Sequence, residues 1–241
     1  MMATNNATNT ANPVTVAQGG TGDSSVTAYA VLCGGTTSTG VIQSIASVGT
    51  SGQVLTSNGA GALPTFQAAP GALVLIQTLS ASSSASLNFT SGITSTYNNY
   101  LFVLDAIVPA TDGASLYLKL STDGGSNWLG GTSYFSGTNT NPYNSTTLTN
   151  TNVAGGAQFT IVPAQDSTTF TGMSLYVYNV PNGTIVQITG QYSYISNTGP
   201  TFGMGYVVGY YSTNLTVNAM QLIMSSGNIS SGSASLYGLA K

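Results

Sequence analysis

Charge is nearly missing from this sequence. Asp, Glu, Lys and Arg together make up 3% of its 241 residues, against about 25% in ordinary soluble proteins. The cations are Lys119 and Lys241, and the acids are five aspartates: Asp23, Asp105, Asp112, Asp123 and Asp166. Histidine, arginine and glutamate are absent. Each absence excludes a chemistry. Without His there is no Ser-His-Asp or Cys-His relay. With one Cys besides, a zinc site has almost no ligands. Without Arg there is no bidentate phosphate clamp, and two lysines cannot line a groove that tracks a phosphate backbone. No nucleic-acid partner and no cofactor is therefore expected. The lone Cys33 excludes an intrachain disulfide framework. Its place in the apolar run "YAVLC" reads as a buried, inert thiol.

Long apolar runs are missing too. None approaches the ~18 residues of a membrane span, so no membrane insertion is expected. The start, "MMATNNATNTANP", has neither a basic region nor an apolar stretch of the kind a secretory signal carries. Synthesis in a cytosol without signal-directed export is the expectation. The Asn-x-Ser/Thr triplets then read as chance products of an Asn-, Ser- and Thr-rich chain. Convincing helical periodicity with caps is also lacking.

What is present favours strands. Hydrophobic residues make up 41% of the chain, with 14 tyrosines and 30 glycines. Thr and Tyr suit pleated surfaces, while Asn and Gly suit turns. The fold class expected is all-β. Residues 1–70 hold short candidates, "VTVA" (14–17), "TAYAVLC" (27–33), "VIQSI" (41–45) and "QVLTS" (from 53), separated by Gly-rich turns. They are too short and too thinly apolar to build a core alone, so pairing with other copies or another protein is expected. "ALPTFQAAPGAL" (62–73) reads as a stiff junction.

Residues 71–241 read as one antiparallel β-sandwich, jelly-roll-like, with ten strand candidates at 73–79, 84–90, 100–108, 115–121, 157–162, 173–180, 184–195, 204–212, 215–224 and 233–240. In "SLYLKL" the leucines 116, 118 and 120 alternate with Tyr117 and Lys119, the pattern of a half-buried strand. Strand order is not legible. The stretch 129–154, "LGGTSYFSGTNTNPYNSTTLTNTNVA", reads as a long polar loop dotted with aromatics, and such loops are often functional.

Two elements are similar to those of bacteriophage tail-fibre and related virion-appendage proteins: "PVTVAQGGTG" (13–22) and "TSGQVLTSNGAGALPTFQ" (50–67). The end, "SSGNISSGSASLYGLAK" (225–241), resembles the closing strand of such domains. The resemblance implies a non-catalytic, homotrimeric structural component of the virion, assembled in the host cytoplasm. Residues 1–70 would attach to other virion proteins or interlock copies, and the sandwich would form a knob-like head contacting a host-surface glycan or protein. A purely structural collar, neck fibre or capsid decoration is the alternative.

Candidate site residues fall in two groups. "STDGGSNW" (121–128) matches the Asp-box pattern S-x-D-x-G-x-x-W. Asp123 would accept hydrogen bonds from the turn, Gly124 and Gly125 permit positive φ, and Trp128 packs beneath. A calcium ligand or a sugar contact through Trp128 are competing readings. Aromatic rings stack on the C–H faces of sugars, which makes Tyr134, Phe135 and Tyr143 in the polar loop the receptor-binding candidates. Tyr192, Tyr194, Tyr210 and Tyr211 are read as core or interface rings. A glycan-cleaving enzyme needs two carboxyls roughly 5–10 Å apart. Asp112 and Asp123 bracket one strand, which separates them by about 35 Å, so no enzymatic activity is expected.

Overall fold

The structure, a computed structural model, describes residues 15, 20–23, 25–37, 40–68, 73–143, 147–196 and 202–240. The chain divides into two compact units, Met1–Pro70 and Gly71–Lys241.

The first unit holds two small antiparallel ribbons. β1 (Leu32–Cys33) pairs with β2 (Gln43–Ser44), and β3 (Gln53–Thr56) pairs with β4 (Thr65–Ala68). Asn58 ties the second ribbon, donating from Nδ2 to the Leu63 carbonyl at 2.7 Å and accepting from Gln67 Nε2 at 3.0 Å. The segment expected to be a junction thus supplies a strand, β4, before residues 69–72, which lie outside the described residues. Most of the expected strand 14–17 lies outside them as well. Ile45 is the one buried hydrophobic residue among the described residues of this unit. Val26, Leu32, Val41, Val48 and Leu55 are exposed, and Tyr29 is 98% exposed. Cys33 is half-buried rather than buried, because a two-residue strand has too little around it to cover the thiol.

The second unit contains β5 (Leu73–Ser84), β6 (Ser86–Phe89), β7 (Tyr100–Pro109), β8 (Ala114–Ser121), β9 (Tyr134–Pro142), β10 (Thr149–Gly156), β11 (Phe159–Gln165), β12 (Thr169–Tyr178), β13 (Gln187–Ser196), β14 (Phe202–Tyr211), β15 (Ala219–Met224) and β16 (Ile229–Leu239). Each of the ten expected strands has a counterpart here. An eight-stranded sheet runs β10-β9-β14-β13-β12-β7-β16-β5, and a four-stranded sheet runs β11-β8-β15-β6. All pairings are antiparallel.

Two hairpins aside, the chain crosses between the sheets at every step except β8 to β11, which pair within the smaller one. β5, β7, β12 and β16 lie in the larger one, and β6, β8, β11 and β15 in the smaller. That is the jelly-roll arrangement. The inserted hairpins, β9–β10 and β13–β14, extend the larger sheet beyond β12. The core lies between the sheets, where Leu116, Leu118 and Leu120 of β8 are fully buried with Phe89, Phe102, Phe159 and Leu175. Edge-to-face ring pairs, Phe89–Phe102 at 5.0 Å and Tyr134–Phe159 at 4.8 Å, stiffen it.

The hairpin β9–β10 corrects the expectation of a long loop over 129–154. Beyond Tyr134 the inward side chains of β9 are Ser136, Thr138 and Thr140, all buried, so the apolar alternation that marks a half-buried strand is absent. Those polar groups face β11, the edge of the smaller sheet: the Thr160 amide donates to Ser136 Oγ at 3.1 Å. β11 is consequently buried over four successive residues, Phe159 to Val162, and its open edge is covered.

β7 carries a bulge. Its pairing with β12 skips from Thr171↔Ile107 to Met173↔Leu104, which leaves Asp105 and Ala106 against one partner. Ala106 takes a φ of 49° there. Asp105 is exposed on the outer face with Val103, and the extra residue returns Ile107 to the inner face.

Registers also fix the two ends of the sandwich. The chain enters at Leu73, opposite Leu239, beside the turns 90–99, 122–133 and 179–186. At the far end lie Pro142 of β9, Ser196 of β13 and the turn by which the chain passes from β11 to β12 between the sheets.

Candidate functional site

The extended part of the larger sheet carries most of the exposed aromatic surface. Along β14, Phe202, Met204, Tyr206, Val208 and Tyr210 all point outward and are between 44% and 60% exposed. Phe135 of β9 sits opposite Tyr210 in register, and the two rings stack with centroids 5.0 Å apart and planes 6° from parallel. Tyr143, just past β9 and 57% exposed, stacks on Phe202 at 4.1 Å. Its amide donates to the Phe202 carbonyl at 2.7 Å. Two open grooves flank this stripe. One of about 710 Å³ lies between Phe135, Tyr210, Tyr178 and Ile185. Another of about 580 Å³ lies among Tyr143, Ile195 and Met204 towards the far end.

Tyr134 does not belong to this surface. It is fully buried and packs edge-on against Phe159 and Tyr211. Its hydroxyl accepts from the Leu120 amide at 3.0 Å and donates to the Leu129 carbonyl at 3.3 Å. Burial pushes its ionisation well above the ordinary tyrosine value. The reason is strand alternation: β9 points Tyr134 inward and Phe135 outward, which a loop reading of the segment could not show. Of the expected trio, the structure leaves Phe135 and Tyr143 at the surface, joined to β14 by their partners Tyr210 and Phe202. The outward residues Met204, Tyr206 and Val208 were not singled out from sequence. Their signal was the reversed pattern of "GMGYVVGY", large residues outside and small ones inside.

The inner face of the same three strands explains the small residues. Thr140, Gly205 and Tyr192 stand side by side on β9, β14 and β13. The Tyr192 ring lies over Gly205, where any Cβ would occupy the ring's own space. Its hydroxyl reaches the Thr140 hydroxyl at 2.5 Å. Gly203 makes the same allowance for Tyr194 one rung on.

At the entry end, the Asp-box segment forms a self-contained turn. Ser121 Oγ donates to Asp123 Oδ1 at 2.7 Å and accepts from the Gly125 amide at 3.0 Å. Asp123 also accepts from the Asn127 amide at 2.9 Å and from Asn127 Nδ2 at 2.7 Å. These bonds, the Asn127 amide first, hold its carboxyl down to about 2. Gly124 and Gly125 take φ of 73° and 86°, the left-handed region that the turn requires. A Cβ on Gly125 would lie 3.3 Å from the half-buried Trp128 ring. Asn218 straps the turn from β15's side, accepting from the Gly124 amide at 2.7 Å. Every oxygen contact of Asp123 is thus taken by its own turn.

Asp112 and Asp123 flank opposite ends of β8. Ser167 holds the Asp112 carboxyl below its usual range, through its side chain first and then its amide, which donates at 2.7 Å. Among the described residues no three Cys or Asp side chains cluster to hold a metal ion, and no helix is long and apolar enough to cross a membrane. Comparison with protein-family models, curated proteins and solved structures finds no match to this chain.

Proposed function

We propose that this chain is a non-catalytic structural component of a bacteriophage appendage, a homotrimeric knob whose residues 1–70 join copies to one another and to other virion proteins. Its β-sandwich contributes to contact with the host surface. The observation that carries this reading is the state of the first unit. It exposes Val26, Tyr29, Leu32, Val41, Val48 and Leu55 while burying only Ile45 among its described residues. Two-stranded ribbons with that little burial are marginal alone, and sharing between copies removes the exposed apolar area. The elements at 13–22 and 50–67 that resemble phage fibres lie in this same unit.

For the sandwich, the outward aromatic stripe supports recognition, since rings with polar tips and few charges suit a neutral surface ligand. The same stripe favours a second reading, a collar or capsid decoration, because apolar strand faces also pack between subunits. Phage particles carrying Phe135→Ser with Tyr143→Ser separate the two. Adsorption reduced at least tenfold with particle number unchanged supports recognition. Lost particles with normal adsorption of the survivors supports the purely structural role. Particles that contain no copy of the chain, by antibody labelling of intact virions, contradict both.

A further inference from the structure

The geometry points to a binding site for a neutral sugar in a cleft at the far end of the sandwich, between the inner face of β9–β14–β13 and the β11–β12 turn. For its use it rests on the recognition reading above, although its chemistry stands without it. The cleft has a volume of about 310 Å³. That is the small end of the roughly 300–1,000 Å³ range of ligand pockets, enough for about one or two pyranose rings.

Its walls combine the two things a sugar offers partners for. One wall is aromatic: Tyr143, Phe202 and Tyr194 border it, and such faces take the C–H side of a pyranose. The other wall is polar and uncharged: the paired hydroxyls of Thr140 and Tyr192, and the amide of Gln165. Gln165 is 95% buried by its 5% exposure, its Nε2 donates to Thr171 Oγ1, and its Oε1 has no partner. A buried acceptor left empty costs about 1–3 kcal/mol, and folded proteins keep few of them. Oε1 is closed to water-sized groups in the empty cleft, so a ligand hydroxyl supplies the missing donor as the Gln165 amide turns toward it.

Charge selects among sugars. No cation lines the cleft, and the carboxylate of Asp166 stands exposed beside it. An anionic sugar meets no counter-charge and one like charge. A neutral hexose or N-acetylhexosamine meets only hydroxyls, an amide and rings.

The test uses the purified full chain and saturation-transfer NMR with glucose, galactose, N-acetylglucosamine and glucuronate. At least one neutral sugar is expected to bind with a Kd on the order of millimolar, and glucuronate at least tenfold more weakly. Gln165→Leu and Tyr143→Ala should each weaken the neutral sugar at least fivefold with an unchanged circular dichroism spectrum. Should Gln165→Leu fail to fold, Tyr143→Ala decides, because that ring is exposed and its loss leaves the core intact. Absence of signal from all three neutral sugars, equal binding of glucuronate, or binding indifferent to Tyr143→Ala would overturn the proposal. Sugar binding in solution beside particles that adsorb normally without Tyr143 would leave the cleft standing and remove the recognition reading. No sugar binding beside Tyr143-dependent adsorption would do the reverse.

Discussion

Single residues here do work that charge does in most proteins. Asp123 closes its turn by accepting three hydrogen bonds, from Ser121 Oγ, the Asn127 amide and Asn127 Nδ2. Its carboxyl falls from the ordinary 3.8 to about 2. A carboxyl whose folded value is depressed stabilises the fold above its unfolded value, and that contribution is lost as pH falls through the folded one. An NMR titration of the Asp123 carboxyl should therefore give a midpoint near 2, with the turn loosening between about pH 4 and pH 2. A midpoint at or above 3.8 would mean that the turn is not closed as described. Tyr134 plays the corresponding part in the core. Tyr134→Phe keeps the ring but leaves the Leu120 amide without its acceptor. The expected cost is about 1–3 kcal/mol, read as a lower urea midpoint with an unchanged slope. Adsorption per folded particle should not change, since this residue touches no surface.

At the level of elements, the strands with apolar alternation were legible and the others were not. β8 announces itself in "SLYLKL", because one face meets the core and the other meets solvent. β9 and β10 do not, because the inward face of β9 packs its Ser and Thr hydroxyls against the edge of β11, and Asn139 bonds Asn150 across the hairpin at 2.8 Å. Their only signal is the repeated Thr-Asn of "TNTNP" and "TNTNV". The candidate site suffered from the same gap: once the segment is a strand, neighbouring Tyr134 and Phe135 face opposite ways. The rung Thr140–Gly205–Tyr192 was invisible for another reason, since it joins three strands that are distant in sequence. Gly205→Ala tests it. A Cβ there collides with the Tyr192 ring and lies 2.7 Å from the Asn139 carbonyl, so destabilisation of about 1–3 kcal/mol is expected. In a Tyr192→Ala background the cost should shrink without vanishing, since the Asn139 contact remains. An equal cost in both backgrounds would place the ring elsewhere.

On the scale of the whole molecule, two units of the same uncharged composition reach opposite solutions. Residues 71–241 bury an extended apolar core between two sheets and cross the chain between them in jelly-roll order. That order was not legible, because antiparallel strands of similar composition carry no label for their neighbours. Residues 1–70 spend their apolar groups outward. The glycines that turn their ribbons, Gly59 and Gly61 with φ of 90° and 85°, shape the backbone without adding any burial. The sharing of that unit between copies is the claim on which the proposed function stands. The most direct measurement is the native mass of the purified full-length chain at micromolar concentration, by light scattering or native mass spectrometry. The expected result is three times the 24.3 kDa of one chain, with residues 26–55 protected from proteolysis. A stable monomer with the same protection would contradict it, because those apolar side chains would then have found their cover within a single copy.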